Sequence, residues 1–108
     1  MKSGHFDALW GAILDRVDLD VTRQVLILMV RTGGFSGDTV HTLDCSGLRE
    51  FRFSNAILGP WEYAEITEIR ASITSSGAQK IEIVLWSEDA GLEIHAETIT
   101  LNGERIEG

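Results

Sequence analysis

One stretch of the chain carries the side-chain types of a metal site. Glu93, His95 and Glu97 stand at every second position, so on a β-strand all three project from one face. Carboxylate oxygens and imidazole nitrogens are ligands for divalent cations such as Zn²⁺. The residues between them are apolar, and this alternation is typical of a half-buried strand with a solvated face. We predict such a strand, with no metal and no cofactor, and keep a small-ligand or metal-binding β-domain as an alternative.

Cys45, the only cysteine, precedes Ser46-Gly47, where a turn would present a nucleophile. A reactive thiol needs a neighbouring base or positive charge, and Asp44 provides neither. We therefore predict a buried structural cysteine. A lone cysteine also excludes an internal disulfide, which favours a reducing cytosol.

Other candidate motifs are incomplete. The glycine-rich segment 33–37 lacks the Lys-Ser/Thr of a phosphate-binding loop, and Asp15, Asp18 and Asp20 lack the spacing of a calcium loop. Neither Gly-x-Ser-x-Gly nor His-Glu-x-x-His occurs, and His41 is predicted to be a partly buried strand residue. The sequence therefore predicts no catalytic site and a protein that is not an enzyme.

Composition limits the classes of partner. The 108 residues, 44% of them hydrophobic, suffice for one domain spanning 1–108. A net charge of -8, from 17 acidic and 9 basic residues, argues against nucleic acid and suits a basic protein partner. The longest apolar run, 25–30, is too short to span a membrane, and the N-terminal residues lack a signal-peptide core. We expect a cytoplasmic protein.

Short alternating segments separated by glycine-containing turns predict a mainly β fold. We expect an antiparallel β-sandwich or a curled open sheet of seven to eight short strands. At most one short helix is expected, near the N-terminus or near Trp61. The chain is organised around 40–54, predicted to be two strands separated by a tight break at Ser46-Gly47. The other predicted strands are 13–19, 24–31, 66–74, 80–87, 92–101 and 104–106, the last after an Asn102-Gly103 hairpin turn.

Apolar positions within these strands define the expected core. In the first strand, Leu19 and Val21 fall on the apolar side with Ile13 and Val17, and the second strand is apolar on both faces, which predicts cover on each side. The predicted core comprises Leu26, Leu28, Val30, Leu43, Phe51, Phe53, Ile69, Ile73, Ile81, Ile83, Leu85 and Ile94.

Aromatic and acidic side chains define a candidate partner-binding surface. Trp61 and Tyr63 follow the chain break at Pro60, and tryptophan and tyrosine are common anchors of binding surfaces. They are equally common as core residues that close one end of a small domain. The candidate set is Phe35, Trp61, Glu62, Tyr63, Glu65, Glu93, His95 and Glu97.

The order of these features resembles a known family. The chain is similar in this order to small β-rich immunity proteins of bacterial toxin systems. The matching features are a leading strand, an apolar strand, a glycine-rich loop, the segment Leu43-Asp-Cys-Ser-Gly47-Leu-Arg-Glu-Phe51-Arg-Phe53 and then Trp61. The resemblance is to the immunity protein 50 family and its YxiG-like relatives, over about 13–61. It implies a protein that binds and neutralises a toxin without catalysis. A homo-oligomeric structural domain, joined through edge strands such as 104–106, is the alternative.

Overall fold

Alternating apolar and polar side chains form strands throughout the part of the chain that the structure describes. The structure, a computed structural model, describes residues 9–33, 37–56, 64–86 and 90–105, and these contain no α-helix. The strands are β1 (Ile13–Asp20), β2 (Val25–Thr32), β3 (Thr39–Asn55), β4 (Ile66–Ile73), β5 (Gln79–Leu85), β6 (Ala90–Leu101) and β7 (Glu104–Arg105).

All strand pairs are antiparallel and belong to one sheet. Its order is β1-β2-β3-β6-β5-β4, and the two-residue β7 pairs with β6 through the predicted Asn102-Gly103 turn. The predicted mainly β fold is therefore confirmed. The predicted sandwich and the predicted count of seven to eight strands are not confirmed. There is one sheet, in which six strands pair in sequence and the two-residue β7 pairs only with β6.

The central unit differs from its prediction. The predicted pair of strands in 40–54 is one continuous strand, β3, which pairs with β2 over its first half and with β6 from Leu43 to Asn55. Gly47, at φ +63°, produces a bend rather than a hairpin, and the pairing with β6 shifts by one residue between Leu48 and Glu50. A β-bulge of this kind increases the local twist and redirects the strand.

The bend lets the two edges of the sheet meet. An isolated bridge joins Ile13 to Glu65, immediately before β4. The Gly11 N–H donates to Ile66 O at 2.6 Å and the Leu14 N–H donates to Ala64 O at 2.8 Å. The sheet is thus curled, with its two edge strands in contact at one end.

The inner face of the curled sheet is the core. Ten of the twelve predicted core residues lie there buried or, for Phe51, partly buried, whereas Phe53 and Ile73 are 55% and 57% exposed. Phe53 and Ile73 lie in inner-face rows, but in the described part of the chain each stands where its strand is paired on one side only, Phe53 with β6 and Ile73 with β5. The expected cover on both faces of β2 is also wrong, since Met29 on its outer face is exposed.

A buried glutamine completes the ladder on β6. Strand β5 pairs with β6 only as far as Ala96, and β7 begins pairing at Thr100. In the gap, the Ile99 N–H donates to Gln79 Oε1 at 2.6 Å. Gln79 is only 4% exposed, so its side chain satisfies a buried backbone donor.

Replacing Gly47 by alanine should destabilise the fold more than replacing a glycine whose added methyl group is unobstructed. In Gly77→Ala, at φ +89°, nothing lies within 4 Å of the new Cβ, so only the left-handed backbone contributes, about 1–2 kcal/mol. In Gly47→Ala the new Cβ would also lie 2.8 Å from Glu97 Cβ. Urea unfolding should show the larger loss for Gly47→Ala, and equal losses would contradict the close approach.

Removal of the Gln79 amide should leave the Ile99 N–H without its acceptor. Gln79→Leu retains the size and apolar part of the side chain, so we expect a loss of about 1–3 kcal/mol in the free energy of unfolding. Gln79→Glu retains an acceptor oxygen, so it should lose less than Gln79→Leu at low pH, where the carboxyl group is neutral, and become less stable as the pH rises and the buried group ionises. Chemical denaturation measures both variants, and an unchanged stability in Gln79→Leu would refute this role.

Candidate functional site

A groove with apolar walls opens where β1 ends beside the bend in β3. It has a volume of about 320 Å³, and its apolar lining comes from Leu19, Val21, Leu48 and Phe51. Leu19 is 47% exposed and Val21 is 76% exposed. By contrast, Leu26 on β2 and Cys45 on β3, which follow Leu19 in the same cross-strand row, are fully buried. The groove therefore extends the apolar inner face to the surface.

The turn after β1 positions the wall of the groove. The Asp20 carboxylate accepts a hydrogen bond from the Arg23 N–H at 3.0 Å, which closes the turn that carries Val21. Gln24, at φ +58°, ends this turn, and its carbonyl accepts from the Leu48 N–H at 2.9 Å. The turn is thus joined to β3 just past the bend, and Val21 is held beside Leu48 in the groove lining.

Acidic groups engage the arginines around this groove. Arg49 contacts Glu97 at 2.9 Å, and Arg23 lies 3.9 Å from Asp20. Both pairs are exposed, so each adds little to stability. Arg49 and Arg23 are therefore both paired with acidic side chains, in a chain whose net charge is -8.

The polar outer face of β6 differs from its predicted arrangement in one residue. His95 Nε2 lies 2.7 Å from Glu93 Oε2, as expected for two residues on one face of a strand. The third ligand-type group near them is Glu50 of β3, because Glu50 is directly opposite His95 in the register. Glu97 instead pairs with Arg49.

The charges around Glu93 keep it ionised. The hydrogen bond with His95 is the main cause that lowers the pKa of Glu93; burial opposes it, and the charges of Lys80, His95 and Arg52 each lower the pKa by a smaller amount. Arg52 also forms an ion pair with Glu50. Across β3, β6 and β5, Glu93 thus stands between Arg52 on one side and a second carboxylate, Glu82, on the other.

A second depression, of about 600 Å³, lies along the same three strands. Arg52, Glu82 and Glu93, which are neighbours in one cross-strand row, contribute to its lining. Gly91 contributes backbone, and a Cβ there would lie 2.6 Å from Ile83 O. The lining also includes the hydroxyl of Ser54.

The predicted partner-binding residues are dispersed. Phe35, Trp61, Glu62 and Tyr63 lie outside the described residues. Glu65 is half-buried at the seam between β1 and β4, where its carbonyl accepts a hydrogen bond from the Trp86 N–H at 3.0 Å. Of the four predicted residues that the structure describes, Glu93 and His95 are in contact, while Glu97 stands on the same strand with a different partner.

Two further sequence predictions concern Cys45 and His41. Cys45 is fully buried in the core, as predicted, and burial, with a smaller contribution from Asp44, raises the pKa of its thiol to about 12. His41 is half-buried, with Nε2 at 3.2 Å from Thr32 Oγ1 and Nδ1 at 3.1 Å from Asn102 Nδ2. Both ring nitrogens of His41 are therefore engaged within the fold.

Sequence reasoning placed Leu19 and Val21 on the apolar side of the first strand but missed their exposure. The signal was present in part, since Val21 follows Asp20 at the start of a predicted turn and so lies beyond the strand. The contribution of Leu48 and Phe51 depends on the bend in β3, which no local pattern specifies.

Comparisons with known proteins describe the fold alone. No model of a known protein family matches the chain, and no curated protein matches it. A solved structure, the crystal structure of an uncharacterized protein from Neisseria gonorrhoeae, is similar with a TM-score of 0.61 and 20% identity, over 85% of this chain and 90% of that one. Among the described residues, no helix has the length and apolar character needed to cross a membrane.

Native Cys45 should be unreactive toward thiol reagents. Its side chain is fully buried and its thiol is neutral well above neutral pH, so a disulfide reagent at pH 8 should modify it only when the chain unfolds. Release of the coloured thiolate from Ellman's reagent, with and without denaturant, measures this. Rapid stoichiometric modification of the folded protein would show that the core is open at Cys45.

Proposed function

We propose that this chain is a non-catalytic protein-binding module whose contact surface is the groove of Leu19, Val21, Leu48 and Phe51. The observation that carries the proposal is the exposure of Leu19 and Val21 beside a concave apolar lining. Isolated exposed apolar side chains are ordinary on protein surfaces, whereas several around one concavity are typical of a contact site. An apolar side chain of the partner would enter the groove and act as its anchor.

The charge of the chain favours a basic partner. The excess of 17 acidic over 9 basic residues gives a long-range attraction that speeds association with a positively charged surface. Specificity would come from the groove, because apolar anchors desolvated at the centre of an interface contribute most of its affinity. Acidic side chains around it would set the orientation and rate of approach.

The resemblance to small immunity proteins supports a more specific proposal. In that reading, the partner is a basic bacterial toxin that the chain neutralises by covering its surface in the cytoplasm. If the partner also reaches the outer face of β6, the contact surface would extend to the sequence-predicted residues Glu65, Glu93, His95 and Glu97.

Charged pairs on the edge strands favour a different protein over self-assembly as the partner. Arg16 and Asp18 on β1 form an ion pair at 2.9 Å, and Arg70 and Glu68 pair on β4. Charged side chains on an edge strand oppose its addition to another sheet. The homo-oligomeric alternative therefore has less support than a contact through the groove.

A charge placed in the groove should abolish binding, whereas the same change elsewhere should not. The bait is the whole chain, and the candidate partner is the product of the adjacent upstream reading frame. Val21→Lys puts a charge at the apolar wall, and we expect at least tenfold weaker affinity by calorimetry. Val40→Lys is the matched control, since Val40 is 58% exposed on β3, away from the groove lining, and the substitution changes charge equally.

The wild-type complex should also weaken as salt is raised, because its long-range attraction is screened. Equal affinities for Val21→Lys and Val40→Lys would remove the groove from the contact. A chain that associates only with itself, at any salt concentration, would instead support the homo-oligomeric domain.

A further inference from the structure

Three metal-binding side chains meet on the outer face of the sheet. Glu50, Glu93 and His95 each offer one ligand atom, and these three atoms lie within 4.8 Å of one another. The group combines one imidazole with two carboxylates, which suits Zn²⁺ and related divalent transition metals. Its members come from two strands, so the set could be identified only from the pairing of β3 with β6.

The register of the sheet explains why the three side chains converge. Glu50 is directly opposite His95, and Arg52 is directly opposite Glu93. Opposed side chains in an antiparallel pair have Cβ atoms about 5 Å apart, and diagonal neighbours remain within reach of long side chains. Glu93 and His95 lie two residues apart on one strand, and Glu50 closes the third side of the triangle.

The position of the cluster favours a defined geometry. Strand β6 is paired on both sides at Glu93 and His95, with β3 and with β5, whereas β3 at Glu50 is paired with β6 alone, since its pairing with β2 ends at Ser46. The three side chains are half-buried. A site built on paired strands holds its ligands more firmly than one built on loops.

Two cations compete for the same carboxylates. Arg52 pairs with Glu50, and Lys80 lies in the row that includes His95. The Arg52 side chain is 68% exposed, so its guanidinium can move into water when a divalent ion takes its place. The replacement exchanges a weak surface ion pair for direct coordination.

We propose that Glu50, Glu93 and His95 form a binding site for one divalent transition-metal ion of the Zn²⁺ class. His95 supplies Nε2 and each glutamate supplies a carboxylate oxygen. Three protein ligands leave at least one coordination position for water or for a group from another molecule. Glu50 also contributes to the lining of the groove, so the two sites adjoin there, but they differ in chemistry: charged ligands coordinate a metal ion here, and apolar side chains form the contact surface there.

Zinc titration of matched variants tests the proposal. The whole chain, free of any histidine tag and stripped with a chelator, is titrated with Zn²⁺ by calorimetry. We expect one equivalent to bind to the wild type, with at least tenfold weaker affinity in His95→Ala and in Glu50→Gln. Titration with Co²⁺ should give visible absorption bands of a coordinated ion, and these bands should be lost in the same variants.

Two control variants separate this site from others on the chain. His41→Ala removes a histidine whose two nitrogens bond to Thr32 and Asn102, and Glu97→Gln removes the carboxylate that the sequence pattern alone would assign. Both should bind Zn²⁺ within twofold of the wild type, and circular dichroism should confirm that all variants fold. Absence of saturable binding to the folded wild type would overturn the proposal. So would unchanged affinity in Glu50→Gln, or a loss in Glu97→Gln as large as that in His95→Ala.

Discussion

The ladder between β3 and β6, bent at Gly47, is the constraint on which the structure depends. It extends from the Leu43–Leu101 pair to the Asn55–Ala90 pair. The first half of β3 also pairs with β2, and the first half of β6 also pairs with β5, so this ladder joins the two parts of the sheet, which meet again at the short seam between β1 and the start of β4. Because the ladder bends, the sheet curls and buries its inner face against itself. A flat sheet of the same strands would leave that apolar face in water.

The same bend produces both proposed sites. By redirecting β3, it places Leu48 and Phe51 beside the end of β1, where they line the groove with Leu19 and Val21. The bulge leaves Arg49 without an opposite residue on β6 and aligns Glu50 with His95. Without that one-residue shift, Arg49 would stand opposite His95, and the imidazole would face a guanidinium instead of a carboxylate.

Strand locations were predictable from the sequence because side-chain alternation is local. The burial of Leu26, Leu28 and Val30, the hairpin at Asn102-Gly103 and the buried thiol of Cys45 all follow from patterns within a few residues. At Gly47 the prediction was wrong because a turn and a bulge both use a glycine at positive φ. Only the pairing of β6 with both halves of β3 distinguishes them, and that pairing joins residues 35 to 58 positions apart in the chain, from Asn55–Ala90 to Leu43–Leu101.

Burial and site composition were harder to predict for the same reason. Phe53 and Ile73 have the alternation of core residues, but their exposure depends on how far neighbouring strands extend. The role of Gln79 depends on a gap between β5 and β7 that no local pattern marks. The Glu93-x-His95-x-Glu97 pattern was visible in the sequence, yet the third carboxylate beside it belongs to Glu50, across the ladder.

We propose above all that this chain binds a protein through the apolar groove at the bend. The most direct measurement is a methyl-labelled NMR titration of the whole chain with the product of the adjacent reading frame. We expect the methyl signals of Leu19, Val21 and Leu48 to shift or broaden at one equivalent of partner, while those of Met29 and Val40 remain unchanged. Perturbations confined to Met29 and Val40, or absent from Leu19, Val21 and Leu48 in a formed complex, would contradict it.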